Sequence, residues 1–250
     1  MKKTLLTLIA LMLSLFIVGC QAETTTQTQK QTTTKNNETT TQADGSTTKQ
    51  GATTADPDLL KDLAGKAQGV KVYLTTCGQS DVNVVVNIIE NQVDPEGETI
   101  VIYTDQEPTD GTIKVLQDES LEATDIELSS DPEKLPFVLL VLGTSSKGLG
   151  AAGTDVQKET ARAEAFANLA KEGKIVLVCL HVGGAARRGE LSDPVITAAF
   201  AGANAVLVKA DGNTDGFFTN LAEQNNTQYF LNLEKTPNFI APLKVLFGME

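Results

Sequence analysis

The sequence predicts a single α/β domain over residues 57–250: a doubly wound, mainly parallel sheet of the Rossmann-like or flavodoxin-like three-layer kind. Three observations carry this. Apolar, β-branched runs of strand length recur at 70–75, 99–104, 137–142, 174–181, 205–209 and 228–233. Stretches of helical character separate most of them, an alternation that argues for parallel strands covered on both faces. The stretch FVLLVLGTSSKGLGAAGTD, from Phe137 to Asp155, runs from a buried strand through a glycine-rich loop to a helix cap.

The elements follow in order. Met1-Lys2-Lys3, an apolar core from Leu5 to Val18 and the run Ile17-Val18-Gly19-Cys20 read as a signal peptide over 1–19. The end resembles a lipobox, which implies cleavage before Cys20 and lipid on its thiol. The core is shorter than the ~20 apolar residues a spanning helix needs. Residues 20–56, rich in Thr, Gln, Lys and Asn, bury too little to offset ordering entropy and are expected as a disordered tether. These features place the protein on the extracytoplasmic face of a cell membrane, held by lipid.

Within the domain, 59–67 is a helical turn or two, 70–75 a strand, and 82–92 a helix whose valines and isoleucines need burial to override propensity. Asp94-Pro95-Glu96-Gly97 is a turn before the strand at 99–104. Residues 106–136 are expected either as a hairpin pairing 112–116 with 125–128 or as an excursion. The strand at 137–142 is followed by the best helix, 156–171. After the strand at 174–181 come a helix at 194–201, a strand at 205–209, a helix at 217–224, a strand at 228–233 and a helix at 241–247.

The chain's net charge is −12, and its first 56 residues hold five lysines against four acids, so the domain carries all of the net acidity. That argues against nucleic acid and against a domain lying flat on anionic lipid. Beyond Cys20, Cys77 and Cys179 remain. An exported pair could bridge or stay as buried thiols, and the sequence leaves both open.

Four strand-to-helix loops end alike, in Ser80-Asp81, Thr154-Asp155, Ser192-Asp193 and Thr214-Asp215. Helix capping accounts for these residues. Other loop residues invite chemistry. Gly148–Gly153 matches G-x-G-x-x-G, but it follows a late strand, and no acid closes the next one, so no dinucleotide cofactor is expected. Gly143–Gly148 resembles a phosphate loop, yet Leu149 stands where Lys belongs. Its hydroxyls, amides and Lys147 suit an anion. The loop His181–Glu190 adds Arg187 and Arg188, paired donors for carboxylate or phosphate, and the only histidine. Asp211, Asn213 and Asp215 copy half of a calcium loop whose twelfth position is Ala222, and no metal is expected.

Together SSKGLGAAG (Ser145 to Gly153), HVGGAARRGELSD (His181 to Asp193), GNTDGFF (Gly212 to Phe218) and Gly78-Gln79-Ser80 resemble a family of bacterial exported proteins catalogued only as a domain of unknown function. The resemblance covers most of 70–247 and implies the fold and the shared loops, with no activity attached. Against that pattern Cys77 replaces a small residue and 106–136 is longer.

The expected function is binding of a small anionic ligand, carboxylate- or phosphate-bearing, at the carboxyl edge of the sheet, with no cofactor, as a sensing component or the partner of a membrane transporter. The expected pocket comprises Gly78, Gln79, Ser80, Ser145, Ser146, Lys147, Gly148, Gly150, Gly183, Gly184, Arg187 and Arg188. The first alternative is a hydrolase using His181 with Ser80, Ser145 or Cys77. The second is a structural or partner-docking surface protein.

Overall fold

In the computed structural model the described residues run from 57 to 249, so the signal peptide, Cys20 and the tether over 20–56 lie outside them. The domain holds seven strands: β1 (Val72–Cys77), β2 (Ile100–Tyr103), β3 (Ile113–Gln117), β4 (Phe137–Leu142), β5 (Val176–His181), β6 (Ala205–Lys209) and β7 (Tyr229–Leu233). They form one sheet in the order β2-β3-β1-β4-β5-β6-β7, and every neighbouring pair is parallel. Six α-helices lie among the described residues: α1 (Val82–Ile88), α2 (Ser146–Ala152), α3 (Val156–Lys171), α4 (Asp193–Phe200), α5 (Phe217–Asn225) and α6 (Ile240–Phe247). None is long and apolar enough to cross a membrane.

The central strand β4 is apolar throughout because helices cover both of its faces, and all six side chains are buried. Phe137, Leu139 and Val141 enter one core with Ile88 of α1 and Leu243 of α6. Val138, Leu140 and Leu142 enter the other with Phe166 of α3, Phe200 of α4 and Phe218 of α5. Burial also overrides propensity in α1, which continues as a π-helical turn over Ile89–Val93. Asp94 then accepts the amides of Thr99 (2.8 Å) and Ile100 (2.6 Å), turning the chain into β2.

Two expectations need correction. The hairpin does not form: Ile113–Gln117 enters the sheet as a parallel strand between β2 and β1, and Ala123–Asp125 is a 3-10 turn. Ile113 and Val115 are buried whereas Lys114 and Leu116 are half-buried, because 104–112 returns across that face as a loop and not a helix. A strand covered on one side has the alternation of a hairpin strand. The loop lies close, since a Cβ at Gly111 would sit 2.5 Å from Val101 Cγ2. The second correction is the glycine-rich loop, which winds into α2 and carries Gly148 and Gly150 inside a helix.

From β1 the chain leads to one side of the sheet, and from β4 to the other. The carboxyl ends of these neighbours, Cys77 and Leu142, therefore flank the switch point where α/β sheets form crevices.

Candidate functional site

Gly78–Asp81 leaves β1 in a strained conformation. Gly78 (φ +102°), Gln79 (φ +59°) and Asp81 (φ +65°) all have positive φ, which costs about 1–3 kcal/mol for each non-glycine residue. Tertiary bonds hold it. The Thr76 hydroxyl donates to the Ser80 carbonyl (3.0 Å), and the Ser145 amide donates to the Gly78 carbonyl (3.1 Å). Two glycines permit the approach. A Cβ at Gly78 would fall 2.5 Å from the Gly143 carbonyl oxygen, and one at Gly148 would run into the Gln79 carbonyl.

Beneath this segment lies a buried ion pair from α3. Glu159 Oε2 accepts from the Gly78 amide and from Arg162, each at 2.7 Å. Its Oε1 accepts from Thr154 (3.1 Å) and Gln79 (3.4 Å). Arg162 also donates to the carbonyls of Glu119 (3.0 Å), Leu121 (3.1 Å) and Thr76. One pair thus ties α3 to β1, to its loop and to the segment after β3. Above it opens a hollow of about 550 Å³, lined in part by Gln79, Glu119, Glu122, Thr154, Glu159 and Arg162.

The remaining rim is built from carboxylate–arginine pairs. Arg187 Nε bonds Asp81 Oδ2 at 2.9 Å. A Cβ at Gly183 would collide with both partners, so glycine makes room for the pair. Arg188 grips Asp193 with two nitrogens (2.8 and 3.3 Å), pairs with Asp215 (3.1 Å), donates to the Gly212 carbonyl and lies 4.0 Å from the Phe217 ring centroid. Its hydrogen bond holds the Asp215 carboxyl below the usual range. Of the three expected cations, Lys147 alone lacks a carboxylate partner among the described residues, and it stands exposed in the first turn of α2.

The expected site residues therefore divide. Loops carrying Gly78–Ser80, Ser145, Gly148, Gly183–Gly184 and Arg187 meet at one edge, but only Gln79 and Gly148 of the expected set line the hollow. Gly150 has open space around it, and Ser146 is exposed. The Ser145 hydroxyl accepts the Gly148 amide (3.2 Å) and caps α2, so the expected amide nest is a helical first turn. Capping by the four aspartates holds for Asp155, which accepts the Lys158 amide (2.9 Å), and in part for Asp215, which accepts the Phe217 amide at the start of α5 (3.2 Å). Asp81 and Asp193 hold arginines, and Asn213 takes the amides of Phe218 (2.8 Å) and Thr219. Asp211 pairs with Lys209 (3.0 Å).

No hydrogen bond joins His181 to Ser80, Ser145 or Cys77 among the described residues. His181 Nε2 meets the Arg187 carbonyl, while His181 Nδ1 and Ser80 Oγ are buried without partners. Cys77 and Cys179 are buried and unpaired. Burial pushes the Cys77 thiol up to about 12 and raises that of Cys179. Iodoacetamide at about pH 8 should leave both unmodified in the folded protein and label both in urea, read by mass spectrometry. Labelling of the folded protein would contradict this burial.

Sequence reasoning missed Glu159, Arg162, Glu119 and Glu122. A signal existed for the first two: they share the buried face of α3 with Ala163, Phe166 and Ala170. Charged residues on such a face require partners. Comparison with known proteins supports the coarser part of that resemblance, a domain of unknown function. A family model described as "Domain of unknown function (DUF6305)" matches residues 69–247. No curated protein and no solved structure matches the chain.

Proposed function

The chain belongs to this family of unknown function, and on that premise we propose that its domain binds a small polar ligand in the hollow at the carboxyl edge, beside β1. Lipid on Cys20 would hold it at the outer face of a membrane, in a capture or sensing role beside a transporter. The observation that carries the reading is the strained Gly78–Asp81 segment at the switch point, fixed by buried Glu159 and Arg162 against an open hollow. Strain of this kind persists where surroundings over-determine it, and it gathers at ligand sites.

The ligand's chemistry follows from the lining. Arg187 and Arg188 already hold carboxylates, so an anion would have to displace Asp81, Asp193 or Asp215, or rely on Lys147. The hollow sets Asp118, Glu119, Glu122 and Glu159 against Arg162 alone. Such a lining favours hydroxyl- or amine-bearing ligands over the carboxylates and phosphates expected from sequence.

A thermal-shift series on the full-length protein in detergent tests this with polyols, amines, carboxylates and phosphates. A ligand at about 100 times its Kd should stabilise by about 2.7 kcal/mol, roughly 5–10 °C. Glu119→Gln should weaken the effect and Lys147→Ala should not. Stabilisation by anions alone, lost with Lys147→Ala, would restore the anionic reading. Silence across all classes would defeat the binding reading.

A further inference from the structure

His181, the chain's one histidine, is fully buried at the end of β5. Its Nε2 lies 3.0 Å from the Arg187 carbonyl oxygen. A carbonyl only accepts, so Nε2 carries the proton and Nδ1 of the neutral ring is bare. That nitrogen is buried with no partner among the described residues. The ring packs on Phe218, centroids 4.7 Å apart, and a Cβ at Gly212 would lie 3.0 Å from Cε1. One side chain therefore holds together the turn Gly184–Arg187, the turn Ala210–Asn213 and α5.

The charged groups around it are engaged elsewhere. Arg187, on the turn after β5, pairs with Asp81 from the β1 loop. Arg188 pairs with Asp193 of α4 and with Asp215 before α5. Asp211, on the turn after β6, pairs with Lys209. None bonds Nδ1.

We propose that His181 is an acid-sensitive latch: neutral, it holds both turns against the sheet end, and its protonation releases them while the strands stay intact. A second ring proton would be a buried cationic donor without an acceptor. Burial accordingly holds the ring below its ordinary value of 6.5, against the Arg187 carbonyl, which favours the proton, and alongside Arg188, which opposes it. The sign follows. Once released, the ring regains its ordinary affinity, so opening takes up a proton and is favoured as pH falls below about 6.5. Above that the latch is closed. Between about pH 7.5 and about pH 5.5 the opening constant should rise, with about tenfold as the ceiling for one proton taken up at about 6.5.

Hydrogen exchange of the full-length protein, followed by mass spectrometry and corrected for intrinsic rates, tests this. Peptides covering 182–190 and 210–216 should lose protection at about pH 5.5, by up to about tenfold, while 137–142 keeps its own. His181→Gln, which keeps a donor for the Arg187 carbonyl and cannot titrate, should abolish the pH response. Equal protection of the turns at both pH values would overturn the latch. So would simultaneous loss at 137–142, or an unchanged response in His181→Gln. Should that variant not fold, an NMR titration of the single imidazole decides: a value at or above 6.5 in the folded protein rules the latch out, and a lower one supports it.

Discussion

Arg162→Ala should destabilise the domain by about 3–5 kcal/mol, a fall in melting temperature on the order of 10 °C. The substitution strands Glu159 as a buried charge, 3 % exposed, and leaves the carbonyls of Thr76, Glu119 and Leu121 without their donor. The pair itself contributes much less than this loss, since desolvation offsets most of its attraction. Glu159→Leu combined with Arg162→Met should therefore recover the part of the deficit due to the stranded charge, while the carbonyls of Thr76, Glu119 and Leu121 stay without a donor and the Gly78 amide loses its acceptor. Urea denaturation of the two variants separates these effects. A loss under about 1 kcal/mol for Arg162→Ala would show that the pair does not fix the β1 loop.

Alanine at two glycines of α2 should act with opposite sign. Gly148→Ala drives a methyl into the Gln79 carbonyl, a backbone atom that moves only if the strained loop moves, and should cost about 3 kcal/mol. Gly150 has nothing within 4 Å of the added methyl, so Gly150→Ala should gain about 0.5–1 kcal/mol from helix propensity. Gly78→Ala should be the most damaging, because φ +102° and a 2.5 Å approach to the Gly143 oxygen penalise it together. Chemical denaturation of the three variants gives the order. Equal effects at 148 and 150 would mean that α2 does not pack on the β1 loop as described.

The central layer was legible because its physics is local. The burial of β4 on both faces appears as an unbroken apolar run, and the boundaries expected for 137–142, 156–171 and 205–209 match the strands and helix found. The failures are tertiary. β3 looked like half of a hairpin because one face meets only a loop. α2 looked like a loop because Gly148, Gly150 and Gly153 lower propensity, whereas tight packing of Gly148 on Gln79 fixes a helix there. At the site, the arginines were visible as types but their partners were not. Asp81 and Arg187 lie 106 positions apart, and no local pattern reveals that they pair.

The Glu159–Arg162 clamp also sets an order of assembly. Arg162 meets Thr76 across 86 positions and Leu121 across 41. A chain made from its amino terminus therefore exposes the end of β1 long before the groups that can bend it have been synthesised. Until α3 arrives, Gln79 and Asp81 have no reason to leave ordinary right-handed or extended backbone, and the hollow has no wall. Its shape is thus a late product of folding, present only once distant parts of the chain have come together.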